Sequence, residues 1–128
     1  MVKGIDFQIQ YLVNLKQGDL SINLMGTSLY DFKTPSLTNQ NLMVNRVGKF
    51  NFDNHTFSLP KKRINSFVSW NFKDLSISLN SRYLDGYINE RAITGLGLTY
   101  GYSNQVKSFF IHDISCLLYT SDAADDMQ

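Results

Sequence analysis

The chain has 128 residues, 18% of them charged and 13% aromatic, with a net charge of +1. That length suits one domain, and so even a balance excludes both a basic nucleic-acid footprint and an acidic solvating tail. No run of about 18 apolar residues occurs, which excludes a transmembrane helix and leaves strands as the only way this chain could cross a membrane.

Phe, Tyr, β-branched residues, Ser and Asn favour strands and turns, so the expected fold class is all-β. Residues 1–4 hold no apolar stretch before a small-residue cleavage site, so no signal peptide is read. An exported protein would then lack its start. The single cysteine, Cys116, can form no internal disulfide and has no metal-ligand spacing around it.

Over residues 5–15 each odd position is apolar: Ile5, Phe7, Ile9, Tyr11, Val13 and Leu15. Between them stand Asp6, Gln8, Gln10, Leu12 and Asn14. This period of two predicts a strand with one greasy and one wet face. After a short turn at Lys16, Gln17, Gly18 and Asp19, a second run sets Leu20, Ile22, Leu24, Gly26 and Tyr30 on one face, with Ser21, Asn23, Met25 and Thr27 on the other.

Residues 33–62, rich in Asn, Thr, Ser and Lys and holding Pro35 and Pro60, read as a loop. A third run follows, in which Ile64, Val68, Trp70 and Phe72 alternate with Asn65, Phe67, Ser69 and Asn71. Beyond a very short turn at Lys73 and Asp74, a fourth run alternates Leu75, Ile77, Leu79 and Tyr83 with Ser76, Ser78, Asn80 and Arg82. Residues 84–105 form a second long connection with four glycines. A fifth strand is expected from Val106 to Ile114, but its facing cannot be told from parity.

The expected architecture is thus an antiparallel meander of about five strands with connections that go short, long, short, long. Structureless loops of such length are uncommon in compact soluble domains. Outer-membrane barrels have this asymmetry by construction, with short periplasmic turns and long external loops, and with strands of about 9–11 residues. Tyr30, Phe32 and Tyr83 sit at the long-loop end and Trp70 and Phe72 at the tight-turn end, where membrane interfaces select amphipathic rings.

On this reading Ile5, Phe7, Ile9, Tyr11, Val13, Leu20, Ile22, Leu24, Val68, Trp70, Leu75, Ile77 and Leu79 face lipid. Gln8, Gln10, Asn23, Asn65, Ser78, Asn80 and Arg82 then line a wet lumen. The alternative is a soluble β-sandwich, a ligand- or carbohydrate-binding module whose same alternation points inward. Periodicity leaves both open, and loop asymmetry and strand length favour lipid.

The pieces "GIDFQIQY" (residues 4–11), "GDLSINLMGTSLY" (18–30), "FSLPKKRINSFVSWNF" (57–72), "LSISLNSRYLD" (75–85) and "VKSFFIHDI" (106–114) occur in the order of, and together resemble, the C-terminal part of the barrel of TonB-dependent outer-membrane receptors. The family's plug domain, TonB-contacting box and last strands lie outside the matched stretch. The resemblance implies that residues 1–114 are a fragment of a barrel of about 22 strands. It implies a bacterial outer-membrane location, in a Gram-negative cell. The implied activity is uptake of a scarce nutrient such as an iron–siderophore complex, cobalamin or an oligosaccharide. The implied partners are outer-membrane lipid, the small nutrient ligand and, through the plug, the TonB–ExbB–ExbD system. A passive barrel without a plug is a further alternative.

In residues 115–128, "SCLLYTSDAADDMQ", the alternation stops without a turn. Residues 116–126 resemble, residue by residue, the translation of a transposase adaptor used in preparing sequencing libraries. This segment is expected to be a non-native tail without defined structure, the alternative being a native acidic tail.

Residue types for catalysis are sparse, and neither an enzyme nor a cofactor is expected. His55 and His112 stand far apart with no metal-ligand spacing. Neighbours on a strand point to opposite faces, so His112 and Asp113 do not read as an acid–base pair, and the resemblance implies that they are a strand-start feature. "GLGLTYG" (95–101) lacks phosphate-loop spacing, and "NHT" (54–56) fits only the glycosylation pattern. Lys61, Lys62 and Arg63 form a basic cluster that could meet anionic lipid head groups or simply be solvated.

Overall fold

The computed structural model of the chain describes residues 1–36, 38–50, 58–89 and 104–120. In chain order the strands are β1 (Val2–Leu15), β2 (Gly18–Pro35), β3 (Met43–Asn45), β4 (Lys49–Phe50), β5 (Lys62–Phe72), β6 (Leu75–Leu84), β7 (Tyr87–Asn89), β8 (Gln105–Val106) and β9 (Phe109–Leu118). No helix occurs among the described residues. The long strands pair antiparallel in the order β1-β2-β5-β6-β9, with β3 added to β2, and a separate three-stranded sheet joins β4, β7 and β8.

Two tight turns close the hairpins at one end. Leu15 pairs with Gly18 across Lys16 and Gln17, and Phe72 pairs with Leu75 across Lys73 and Asp74. Gly18 has φ 114°, a region open to glycine and strained for any side chain. A Cβ there would also collide with the Asn71 carbonyl oxygen and lie 2.9 Å from the Phe72 Cβ. Lys73 has φ 51°, supplying the positive φ that a two-residue hairpin turn requires.

At the opposite end the long connections do not stay structureless. Lys33, Thr34 and Pro35 pair with Asn45, Val44 and Met43, folding the first connection back onto β2. The Asn45 side-chain oxygen fixes that fold by accepting from the Phe32 and Val47 amides, each at 3.2 Å. The two connections then meet: β4 lies parallel to β7, and β7 pairs antiparallel with β8. Strands of two or three residues are too short to show a period, so residues 33–62 and 84–105 read as loops in sequence.

Three further expectations change. Val106–Ile114 is not one strand, because β8 ends at Val106 and β9 begins at Phe109 in the other sheet. Leu29 pairs with Gly4 and Asp31 with Lys3, so Tyr30 is a bulge residue and the simple parity of the second run stops there. Residues 116–118, expected to lack structure, continue β9: Cys116, Leu117 and Leu118 pair with Ile77, Ser76 and Leu75. Their apolar, strand-compatible side chains meet a free edge of β6 that is long enough to receive them.

The main sheet is a single layer. No aliphatic or aromatic side chain is buried among the described residues, where only Ser36, at 6% exposure, and Pro60 are buried.

Candidate functional site

Register settles which residues share a face. Tyr11, Ile22, Val68, Leu79 and Ile114 form one cross-strand row. The next row toward the tight turns holds Val13, Leu20, Trp70, Ile77 and Cys116. Ile9 pairs with Leu24 on the other side of the central row, and Phe7 with Gly26 beyond it. With Ile5 paired to Ser28 and Leu75 to Phe72, all thirteen apolar positions named from the sequence lie on one face.

The opposite face carries Gln10, Asn23, Phe67, Asn80 and Asp113 in one row, and Gln8, Met25, Asn65, Arg82 and Ile111 in the next. Ser78 lies there too, between Ser69 and Ser115. All seven polar positions named from the sequence therefore share this face. The undecided strand is now placed: Phe110, His112, Ile114 and Cys116 join the apolar face, and Ile111, Asp113 and Ser115 the polar one.

Aromatic rings gather at both ends of the apolar face. At the tight-turn end Trp70 and Phe72 stack with centroids 5.9 Å apart, and the Lys73 ammonium lies 5.3 Å from the Phe72 ring. The Trp70 indole N–H donates to the Gln17 carbonyl at 2.9 Å, so its polar edge points to the turn backbone. At the loop end Tyr83 meets Phe110 at 4.7 Å, and the Phe7 ring covers Gly26 so closely that a Cβ there would clash with it. An aromatic ring laid over a cross-strand glycine pins register.

One row breaks the apolar pattern. Ser66, Ser81 and His112 stand side by side where Ile9 and Leu24 continue the same row. Ser81 Oγ and His112 Nδ1 are 2.8 Å apart, and the His112 ring stacks on Phe110, so the polar atoms are partly satisfied within the sheet. Sequence reasoning missed this row because His112 follows Phe109, Phe110 and Ile111, where parity carries no signal.

Toward the loop end the polar face holds two side-chain pairs. Thr27 Oγ1 donates to Asp6 at 2.7 Å, and Arg82 pairs with Asp113 at 3.2 Å. Three adjoining hollows open there, of about 400, 300 and 260 Å³, and Arg63 lines all of them. Arg63 comes from the basic cluster at residues 61–63, but register puts it on the polar face, paired with Thr27 and Leu84. His112 and Asp113 occupy the middle of β9, not its start, with side chains on opposite faces. His55 and the segments 54–56 and 95–101 lie outside the described residues.

No group of His, Cys, Asp and Glu among the described residues is placed to hold a metal ion, and no helix there is long and apolar enough to cross a membrane. Comparison with known proteins finds no matching family model, no matching curated protein and no matching solved structure.

Proposed function

We propose that this chain is a segment of the transmembrane barrel of a TonB-dependent receptor in a bacterial outer membrane, with its apolar face against lipid and its polar face lining the lumen. The observation that carries the reading is the single-layer sheet itself: one face apolar, the other polar, tight turns at one end and long paired connections at the other. Fully burying a Leu or Ile is worth about 1.5–3 kcal/mol, and nothing among the described residues collects that gain. A soluble sandwich needs a second sheet over the apolar face. The small sheet of β4, β7 and β8 is built from the connections instead, and Ile9, Tyr11 and Ile114 are 55%, 60% and 75% exposed.

Dimensions agree with a membrane. From Ile5 to Leu15 on β1 is ten residue steps, which at about 3.4 Å per step and a barrel tilt of about 40° stands about 26 Å tall. The apolar band of an outer-membrane barrel is about 25 Å tall. Trp70 with Phe72 at one end and Tyr83 with Phe110 at the other stand where aromatic girdles lie.

In this function the chain supplies wall, not chemistry: a lipid-facing surface outside, an amide-rich wet surface inside, and joined external connections that meet solute. The solute is a scarce nutrient and the energy comes through a plug from the TonB–ExbB–ExbD system, with no catalytic residue and no cofactor required of these strands. The test is to sequence the genomic DNA on both sides of the reading frame. A plug domain upstream and further alternating strands in place of residues 116–128 are expected. A start at Met1 and a native stop after Gln128 would overturn both the receptor reading and the adaptor reading of the tail.

A further inference from the structure

Two departures from the pattern of the polar face coincide in space. The first is a charge without a partner: among the described residues the Arg63 guanidinium makes no hydrogen bond or ion pair, whereas Arg82 is held by Asp113. Asp6, which lines the neighbouring hollow, forms no ion pair with it and instead accepts from Thr27, which stands between them. The second is apolar surface on a wet face. Leu84, Phe109 and Ile111 point the same way as Arg63, with Phe109 45% and Ile111 40% exposed. Both departures border one hollow of about 300 Å³, whose lining includes Arg63, Asn65, Arg82, Leu84, Phe109 and Ile111.

We propose that this hollow binds a small organic carboxylate. Its oxygens lie on the Arg63 fork and the Asn65 amide, and its apolar body lies on Phe109, Ile111 and Leu84. The fork matches a carboxylate through two parallel charge-assisted hydrogen bonds. Two guanidiniums and one carboxylate, Arg63, Arg82 and Asp113, leave one positive charge, which a monoanion balances and a phosphate dianion exceeds. A volume near 300 Å³ is at the lower limit for ligand pockets and suits a molecule the size of an aromatic acid. The inference rests on the proposed function in one respect: it takes the polar face to meet water and solute.

The probe is 4-fluorobenzoate, followed by fluorine NMR against the full chain in dodecyl maltoside micelles. Saturable line broadening is expected with the unaltered chain, with neutral 4-fluorobenzamide showing none. Arg63→Gln is expected to weaken binding at least tenfold, Arg63→Lys less, and Phe109→Ala severalfold, each variant first checked for an unchanged far-ultraviolet circular dichroism spectrum. If Arg63→Gln does not fold, Arg63→Lys and Phe109→Ala carry the test. Absence of saturable binding, or equal binding by the unaltered chain and by every folded variant, overturns the proposal. Trp70 emission in micelles of brominated detergent reads the membrane assignment on the same sample. Quenched Trp70 with no Arg63-dependent binding sinks this site alone, and unquenched Trp70 with Arg63-dependent binding sinks the membrane reading alone.

Discussion

Ile22 and Leu79 occupy the central row of the apolar face, flanked by Tyr11, Val68 and Ile114, while their chain neighbours Asn23 and Asn80 point to the polar side. Alternation therefore places very different costs on adjacent positions. Arg at Ile22 or Leu79 is expected to destabilise the folded protein by about 2–4 kcal/mol in lipid, as charge does near a bilayer midplane. Arg at Asn23 or Asn80 is expected to change stability by less than about 0.5 kcal/mol. Denaturant titration in bilayers measures all four, and equal tolerance would defeat the facing assignment. Gly26 makes a steric case: Phe7 lies where its Cβ would be, so Gly26→Val is expected to cost about 1–3 kcal/mol through displacement of that ring. The faces of these residues were legible from parity alone. The polar trio Ser66, Ser81 and His112 was not, because its meaning depends on three strands brought side by side.

The long strands were legible because each carries its own period, and their two-residue turns because the alternation restarts at once on the other side. Local pattern does not encode what non-local pairing decides. The short strands β3, β4, β7 and β8 exist only through partners distant in sequence, and the facing of β9 is fixed only when Tyr83 meets Phe110. Residues 116–118 are ordered for the same reason, since the β6 edge supplies the ladder whatever their origin. The first hairpin depends on its glycine. Gly18→Ala is expected to cost about 1–2 kcal/mol for the backbone conformation, plus the collision with Asn71, and to show as a lowered unfolding midpoint in micelles. Trp70→Phe removes the indole bond to the Gln17 carbonyl that ties β5 to the same turn, at about 1 kcal/mol, while keeping the stack on Phe72. A double substitution with Gly18→Ala is expected to be less than additive, because both act on one turn.

At the scale of the molecule, the absence of any buried aliphatic or aromatic side chain among the described residues is the dominant fact. A sheet with an apolar face and with β1 and β9 as open edges offers water both a greasy surface and a template for further pairing. The isolated chain is expected to aggregate in buffer and to disperse with strand-type circular dichroism once detergent covers the apolar face; a monodisperse monomer in plain buffer, seen by light scattering, would argue for a protein core. The most direct measurement uses the one tryptophan of the chain, on the apolar face. In micelles of dodecyl maltoside with brominated chains, Trp70 emission is expected to fall by more than half relative to unbrominated micelles. Unchanged emission from a folded chain would mean that protein, not lipid, covers that face.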